Sequence, residues 1–262
     1  MSVIATDKWL QADYDNPILL CSRITKYFNN VSAHELYQHL KLHGMYQPTP
    51  HGKVQVETLL ENDVWNTLNK EFQLLQQEWD GPDIPIYIFP SDSTNDELKE
   101  IFQGKSGLSF KDKLFLFVSE GNTEKELQAL FTHEYNHVCR LTKWKKNEKD
   151  YVLLDTIILE GIAENSVLER MGVEYVGSWA SYYSESDLNE IWNDLIFPNR
   201  NISKSDFLHH MLLYGIDEFP KMGGYCVGNY LVKKFLKEFN ISSKDVLSME
   251  TNTIAQLNKH KQ

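Results

Sequence analysis

The sequence lacks the features of a membrane protein and of a disulfide-bonded secreted protein. No stretch approaches the run of about 18 apolar residues that a membrane-spanning helix needs. The three cysteines, Cys21, Cys139 and Cys226, are widely spaced and form no CxxC pair, so we expect buried reduced thiols. The opening residues show no basic region followed by an apolar one, which predicts no signal peptide and a cytoplasmic protein.

Positive charge is also scarce. The chain has 26 Lys and Arg residues against 37 Asp and Glu residues, a formal net charge of -11, and no dense cluster of basic residues. Such a chain repels the phosphates of nucleic acid and an anionic membrane surface. We therefore expect neither nucleic acid nor a membrane as its partner.

Apolar residues are plentiful, at 42% of the chain with 12% aromatic, which is enough for a buried core. In the first third they recur at three- and four-residue steps, and over residues 56–75 they predict one long helix. Glycine and proline residues then end this pattern, and short apolar runs at residues 86–89 and 113–119 predict two strands. Helical periodicity returns afterwards and predicts helices at residues 127–141, 153–171, 188–196, 207–214 and 227–239.

One of these helices carries a pattern with chemical meaning, FTHEYNHVCRL at residues 131–141. Thr123 and Glu126 form a capping-box pattern that predicts the start of this helix. His133 and His137 are four residues apart, which places them about 40° apart around a helix and about 6 Å apart along it. Both imidazoles can therefore face one ion, and two neutral imidazoles suit zinc.

Glu134 lies directly after the first of these histidines. Its side chain is displaced from that of His133 by about 100° around the helix, too far to join the ligand pair. It can reach a water molecule at the metal, so we predict that Glu134 is the general base.

A third ligand is required because catalytic zinc takes three protein ligands. We predict Glu160, because the 22 residues between His137 and Glu160 allow a turn and an antiparallel helix. Glu164, one turn further on, is predicted to accept the second ring N–H of a zinc-binding histidine, and an exchange of roles between the two glutamates stays open. Gly161 is expected to let the two helices approach closely.

The oxyanion of amide hydrolysis needs an electrophile besides the metal, usually a Tyr or His side chain. We predict Tyr225, which follows two glycines at the start of a helix, with His209 and His210 as alternatives. An extended peptide substrate would dock along a sheet edge, for which residues 107–110 are the candidate.

Three segments, residues 131–141, 153–164 and 220–230, resemble the YjaZ-like family of predicted zinc-dependent proteases, which are of gluzincin type. The resemblance implies a zincin-like core with an edge-bearing small mixed sheet, an active-site helix and a glutamate helix. The expected fold is α+β and predominantly helical, with an N-terminal helical lobe at residues 1–80 and the metallopeptidase core at residues 81–262.

The predicted function is that of a zinc metallopeptidase. It would use Zn²⁺ to hydrolyse peptide bonds in peptides or small proteins. The alternative is a non-catalytic zinc-binding protein that uses the same fold to bind a peptide or to regulate. A helical interaction module without a metal is a third hypothesis.

Overall fold

The structure, a computed structural model, describes residues 3–257. They form a predominantly helical α+β protein with one small mixed sheet, which confirms the predicted fold class. The chain divides into two compact units, Met1–Tyr135 and Asn136–Gln262. The division at residue 80 stays a prediction. No helix among the described residues is long and apolar enough to span a bilayer.

The first unit consists of helices and a three-stranded sheet. Its helices are α1 (Thr6–Asp13), α2 (Pro17–Ser22), α3 (Ala33–Leu42), α4 (Gly52–Glu61), α5 (Val64–Trp79) and α6 (Asp96–Phe102). The next helix, α7 (Glu124–Lys143), begins in this unit and continues into the second.

The sheet contains β1 (Ile86–Pro90), β2 (Ser106–Phe110) and β3 (Lys113–Val118) in the order β1-β3-β2. β1 runs parallel to β3, and β2 is its antiparallel neighbour. Every residue of β1 and β3 is buried, as the apolar runs at residues 86–89 and 114–118 predict for strands covered on both faces. β2 is only half-buried and lies at an edge of the sheet.

One expectation for this unit was wrong. The single helix predicted over residues 56–75 is two helices, since α4 ends at Glu61 and α5 begins at Val64. Asp63 between them has a left-handed backbone with φ 53°, which no helix interior adopts. The apolar periodicity of the sequence continues across this break because α4 and α5 each bury one stripe of apolar side chains. The sheet edge expected at residues 107–110 corresponds to strand β2. Helix α6 was not predicted, since it carries no apolar pattern of its own.

The second unit is helical. It contains the second half of α7, then α8 (Leu153–Met171), α9 (Glu185–Glu190), α10 (Phe197–Asn199), α11 (Phe207–Tyr214), α12 (Gly223–Phe239) and α13 (Thr251–Ile254), with a π-helical segment, Ile191–Ile196, joining α9 to α10. The bounds predicted for α8 and α11 are confirmed at both ends. The helix predicted at 188–196 lies inside the continuous run 185–199, and α12 starts earlier than predicted.

Two glycines bring α8 and α12 into backbone contact. A Cβ atom on Gly161 would lie 2.3 Å from the carbonyl oxygen of Gly228, and one on Gly228 would lie 1.9 Å from that of Ile157. The expected close approach at Gly161 therefore exists, but its partner is α12 and not the helix that carries the histidines. Because Gly161 follows Glu160 directly, this contact also fixes the backbone that carries the predicted third ligand.

A buried arginine anchors the second half of α7. Arg140 is 1% exposed, and its Nη1 donates to the carbonyl oxygens of Val246, Leu247 and Met249 at 3.0, 3.2 and 2.6 Å. Its guanidinium lies 4.3 Å from the centre of the Trp144 ring. Burial lowers the pKa of Arg140 to about 10. These contacts tie the helix that carries His137 to the C-terminal segment. The three cysteines are buried, as predicted, and form no disulfide bond.

We expect Gly228→Ala to destabilise the protein, because the added methyl group would overlap the carbonyl oxygen of Ile157 and force α8 and α12 apart. Overpacking of this kind costs about 1–3 kcal/mol, which would lower the melting temperature by several degrees in thermal unfolding. Gly121→Ala is the matched control, since a Cβ there would meet its nearest atom at 3.8 Å. Equal melting temperatures for the two variants would contradict this packing.

Candidate metal centre

The helix α7 begins as its sequence predicts. The backbone N–H and the hydroxyl of Thr123 donate to Glu126 Oε2 at 2.7 and 2.8 Å, and Glu126 N–H donates to Thr123 Oγ1 at 3.3 Å. This capping box satisfies N–H groups that have no partner in the first turn. The helix then continues without interruption through His133 and His137, so its own geometry sets the two imidazoles one turn apart.

Glu160 of α8 joins these histidines. His133, His137 and Glu160 each offer one ligand atom, and the three atoms lie within 4.8 Å of one another. His137 Nε2 is 3.5 Å from Glu160 Oε2. Among the residues that the structure describes, no other group of three His, Cys, Asp or Glu side chains comes together in this way.

The spacing and the chemistry of these donors fit a zinc ion. Bond lengths of about 2.0–2.2 Å and tetrahedral angles place neighbouring ligand atoms of zinc about 3.3–3.5 Å apart. The distance of 3.5 Å between His137 and Glu160 agrees with this spacing. Two imidazole nitrogens and one carboxylate oxygen form a donor set used by catalytic zinc, with a fourth position left for water or substrate.

Glu134 is held against the sheet. Its side chain is 8% exposed, and its Oε2 accepts a hydrogen bond from Ser109 Oγ at 2.5 Å. The same hydroxyl lies 2.9 Å from the backbone oxygen of Glu134. Gly107, two residues earlier on β2, leaves room for the carboxylate, since a Cβ there would lie 2.3 Å from Glu134 Cδ. The sequence reasoning missed Ser109 as a functional residue. The available signal was the pair of small residues, Gly107 and Ser109, at alternate positions just before the strand predicted at residues 113–119.

Glu164 is buried at 4% exposure, and its Oε1 accepts a hydrogen bond from the backbone N–H of Gly177. This contact fixes the segment that precedes the short 3-10 helix Ser178–Ser181. The hydrogen bond predicted between Glu164 and a metal-binding histidine stays a prediction, as does the exchange of roles with Glu160.

Tyr225 belongs to a pair of tyrosines. Its hydroxyl donates to the hydroxyl of Tyr214 at 3.3 Å, and its ring packs edge-on against Trp179 at a centroid distance of 5.3 Å. Burial raises the pKa of Tyr214, and the negative charge of Glu160 raises it further, against the effect of the hydrogen bond with Tyr225. Tyr214, which the sequence reasoning did not single out, therefore lies within electrostatic reach of the predicted third ligand.

The two alternative electrophiles, His209 and His210, are placed differently. His209 is 4% exposed, and its Nε2 lies 3.0 Å from Thr156 Oγ1 of α8. Burial lowers its pKa, which favours the neutral ring. His210 is exposed and packs on the Tyr214 ring at a centroid distance of 4.5 Å. His209 thus links α11 to α8, and His210 flanks the tyrosine pair.

Comparisons with known proteins identify the family of the chain. A family described as "Predicted Zn-dependent protease (DUF2268)" matches residues 64–256. The uncharacterized protein YjaZ of Bacillus subtilis (strain 168) is 42% identical over 215 residues, 82% of each chain. The uncharacterized protein YjfC of the same organism is 21% identical over 136 residues, 49% of this chain and 46% of YjfC. No solved structure is a significant match. The chain therefore belongs to the YjaZ-like family of predicted Zn-dependent proteases.

Proposed function

We propose that the protein is a zinc-dependent peptidase that hydrolyses peptide bonds in peptides or small proteins. The observation that carries this proposal is the convergence of His133, His137 and Glu160 within 4.8 Å, with Glu134 next to the first histidine. Membership of a family described as predicted Zn-dependent proteases supports the same reaction class.

Each residue of this group has a separate task in the proposed reaction. His133, His137 and Glu160 hold Zn²⁺, which supplies a Lewis acid that polarises a carbonyl group and lowers the pKa of water. The Glu134 carboxylate accepts the proton of the attacking water and then donates it to the departing amine. Its shielded position against β2 keeps bulk water from competing for this carboxylate.

We assign stabilisation of the developing oxyanion to Tyr225 and Tyr214. Phenolic hydroxyls are suitable donors to an oxyanion, and this pair is supported by the effect of Glu160 on Tyr214. The hydrogen bond between the two hydroxyls limits the orientations of both rings before a substrate binds.

We place the substrate as an extended peptide along residues 107–110 of β2. Among the described residues, β2 pairs with β3 on one side only, which leaves an edge suitable for an added strand. Three buried cysteines without a disulfide bond support a reducing compartment such as the cytoplasm for this activity.

We expect the purified protein, loaded with zinc and then dialysed, to keep about one zinc ion per chain. His137→Ala should keep little or none, because one of three ligands is lost. Atomic emission spectroscopy measures the metal content. The exposed His34 provides the control, and His34→Ala should retain the zinc. Full zinc content in His137→Ala, or none in the wild type, would be incompatible with the proposed centre.

Glu134→Gln should keep zinc but lose peptide hydrolysis by about 100-fold to 10,000-fold, the usual contribution of a general base. The assay is cleavage of a fluorogenic peptide library, with Glu124→Gln, an exposed residue of the same helix, as control. Unchanged cleavage in Glu134→Gln would refute the assigned role. Zinc and peptide binding by the wild type with no turnover would favour the non-catalytic alternative.

Tyr214→Phe and Tyr225→Phe should each lower kcat by about 10-fold to 1,000-fold with a smaller change in KM, as removal of an oxyanion donor does. Steady-state kinetics on the same peptide separates the two parameters. Tyr182→Phe, at an exposed tyrosine, is the control. A rise in KM alone would assign the pair to substrate binding.

A further inference from the structure

One face of the edge strand β2 contacts the Glu134 side chain of α7. Gly107 and Ser109 are two residues apart, so they face the same side of the strand. At Gly107 a Cβ atom would overlap the Glu134 side chain, at 2.3 Å from both Cγ and Cδ. At Ser109 the hydroxyl contacts the carboxylate of the same glutamate at 2.5 Å.

We propose that Ser109 is a positioning residue for Glu134, a role that rests on the proposed function. The direction of the hydrogen bond follows from the chemistry of the two groups. An ionised carboxylate only accepts, so the Ser109 hydroxyl donates to Oε2. Oε2 keeps this contact, while the remaining lone pairs of the two carboxylate oxygens stay available for the proton of the attacking water.

The distances suit a strong, orienting hydrogen bond. A hydroxyl that donates to a carboxylate lies about 2.5–2.7 Å from it, and such a charge-assisted bond is about twice as strong as one between neutral groups. The separation of 2.5 Å between Ser109 Oγ and Glu134 Oε2 falls in this range. Because Glu134 is 8% exposed, little water competes for the same oxygen. The bond therefore restricts the carboxylate to one orientation.

A second acceptor lets the same hydroxyl serve both protonation states of the base. Ser109 Oγ is 2.9 Å from the backbone oxygen of Glu134 as well. While the carboxylate is ionised, the hydroxyl proton points to Oε2. When the transferred proton is on the other oxygen, Oε2 still accepts from Ser109, and when it is on Oε2, the hydroxyl can turn its own proton to the backbone oxygen without leaving its place. Ser109 thus holds the base in position before and after proton transfer and is not itself consumed.

The first part of the test measures the contact without relying on activity. Ser109→Ala, Glu134→Ala and the double variant are unfolded with urea in metal-free protein, which gives a double-mutant cycle. We expect a coupling of about tenfold in the unfolding equilibrium constant, in the range of a hydrogen bond to a charged group. If the changes in the free energy of unfolding caused by the two single substitutions simply added in the double variant, the proposal would be overturned, since the two side chains would then not interact.

The second part measures the consequence for catalysis in the zinc-loaded protein. Ser109→Ala should lower kcat on a fluorogenic peptide by about 10-fold to 100-fold with KM and zinc content unchanged, because a misplaced catalytic group costs rate. Ser109→Thr, which keeps the hydroxyl, should restore most of kcat. The control is Ser106→Ala, on the same strand, whose hydroxyl donates to the backbone oxygen of His43 at 2.7 Å.

The outcomes separate this proposal from the proposed function. If the wild type cleaves peptides and Glu134→Gln does not, an unchanged kcat in Ser109→Ala overturns the role of Ser109 alone. A failure of Ser109→Thr to restore kcat would do the same. Coupling in the urea cycle with no cleavage by the wild type would instead overturn the proposed function, and with it the catalytic meaning of the contact.

Discussion

The approach of Glu160 to His137 is the interaction on which the rest of the site depends. A carboxylate oxygen and a bare ring nitrogen repel each other, so a separation of 3.5 Å between Glu160 Oε2 and His137 Nε2 calls for a proton on the ring nitrogen or a cation shared by the two atoms. A shared proton would satisfy this one pair. A divalent cation would satisfy Glu160, His137 and His133 at once, which is why the three donors together indicate a metal.

The helices that carry these donors are fixed by contacts outside the site. The glycines Gly161 and Gly228 allow α8 to pack directly on α12, which leaves the backbone at Glu160 little freedom. Arg140 anchors α7 three residues after His137 by donating to carbonyl groups near the C-terminus. A metal site needs this kind of support, because ligands must be close to their final positions before the ion binds.

Much of the helical part of the fold could be predicted from the sequence, because its signals are local. The capping pattern at Thr123 and the glycines that follow α8 and α11 mark helix ends within a few residues of the chain. The break between α4 and α5 could not be predicted, since Asp63 adopts a left-handed backbone inside an uninterrupted apolar pattern. Residues 107–110 of β2 could be predicted as a sheet edge only from their place just before the apolar run of β3, because the sequence SGLSF has no strand pattern of its own and, among the described residues, pairs with β3 alone.

The same difference between local signals and long-range packing holds for the metal site. The spacing of His133 and His137 is a property of one helix, so the sequence was sufficient to predict their shared face. Glu160 could be chosen because a second helix at a suitable distance carries it. The contacts of Ser109 with Glu134 and of Tyr225 with Tyr214 join elements 25 and 11 residues apart, respectively. Neither could be predicted from periodicity, because they depend on how the elements pack.

The most direct measurement of the metal centre is X-ray absorption at the zinc edge of the zinc-loaded protein. Two imidazole nitrogens and oxygen donors at about 2.0–2.2 Å, with no sulfur at about 2.3 Å, are the expected ligands. Replacing Glu160 with alanine should change the oxygen shell and leave the two imidazoles in place. A sulfur signal, or a spectrum with no imidazole contribution, would contradict the centre formed by His133, His137 and Glu160.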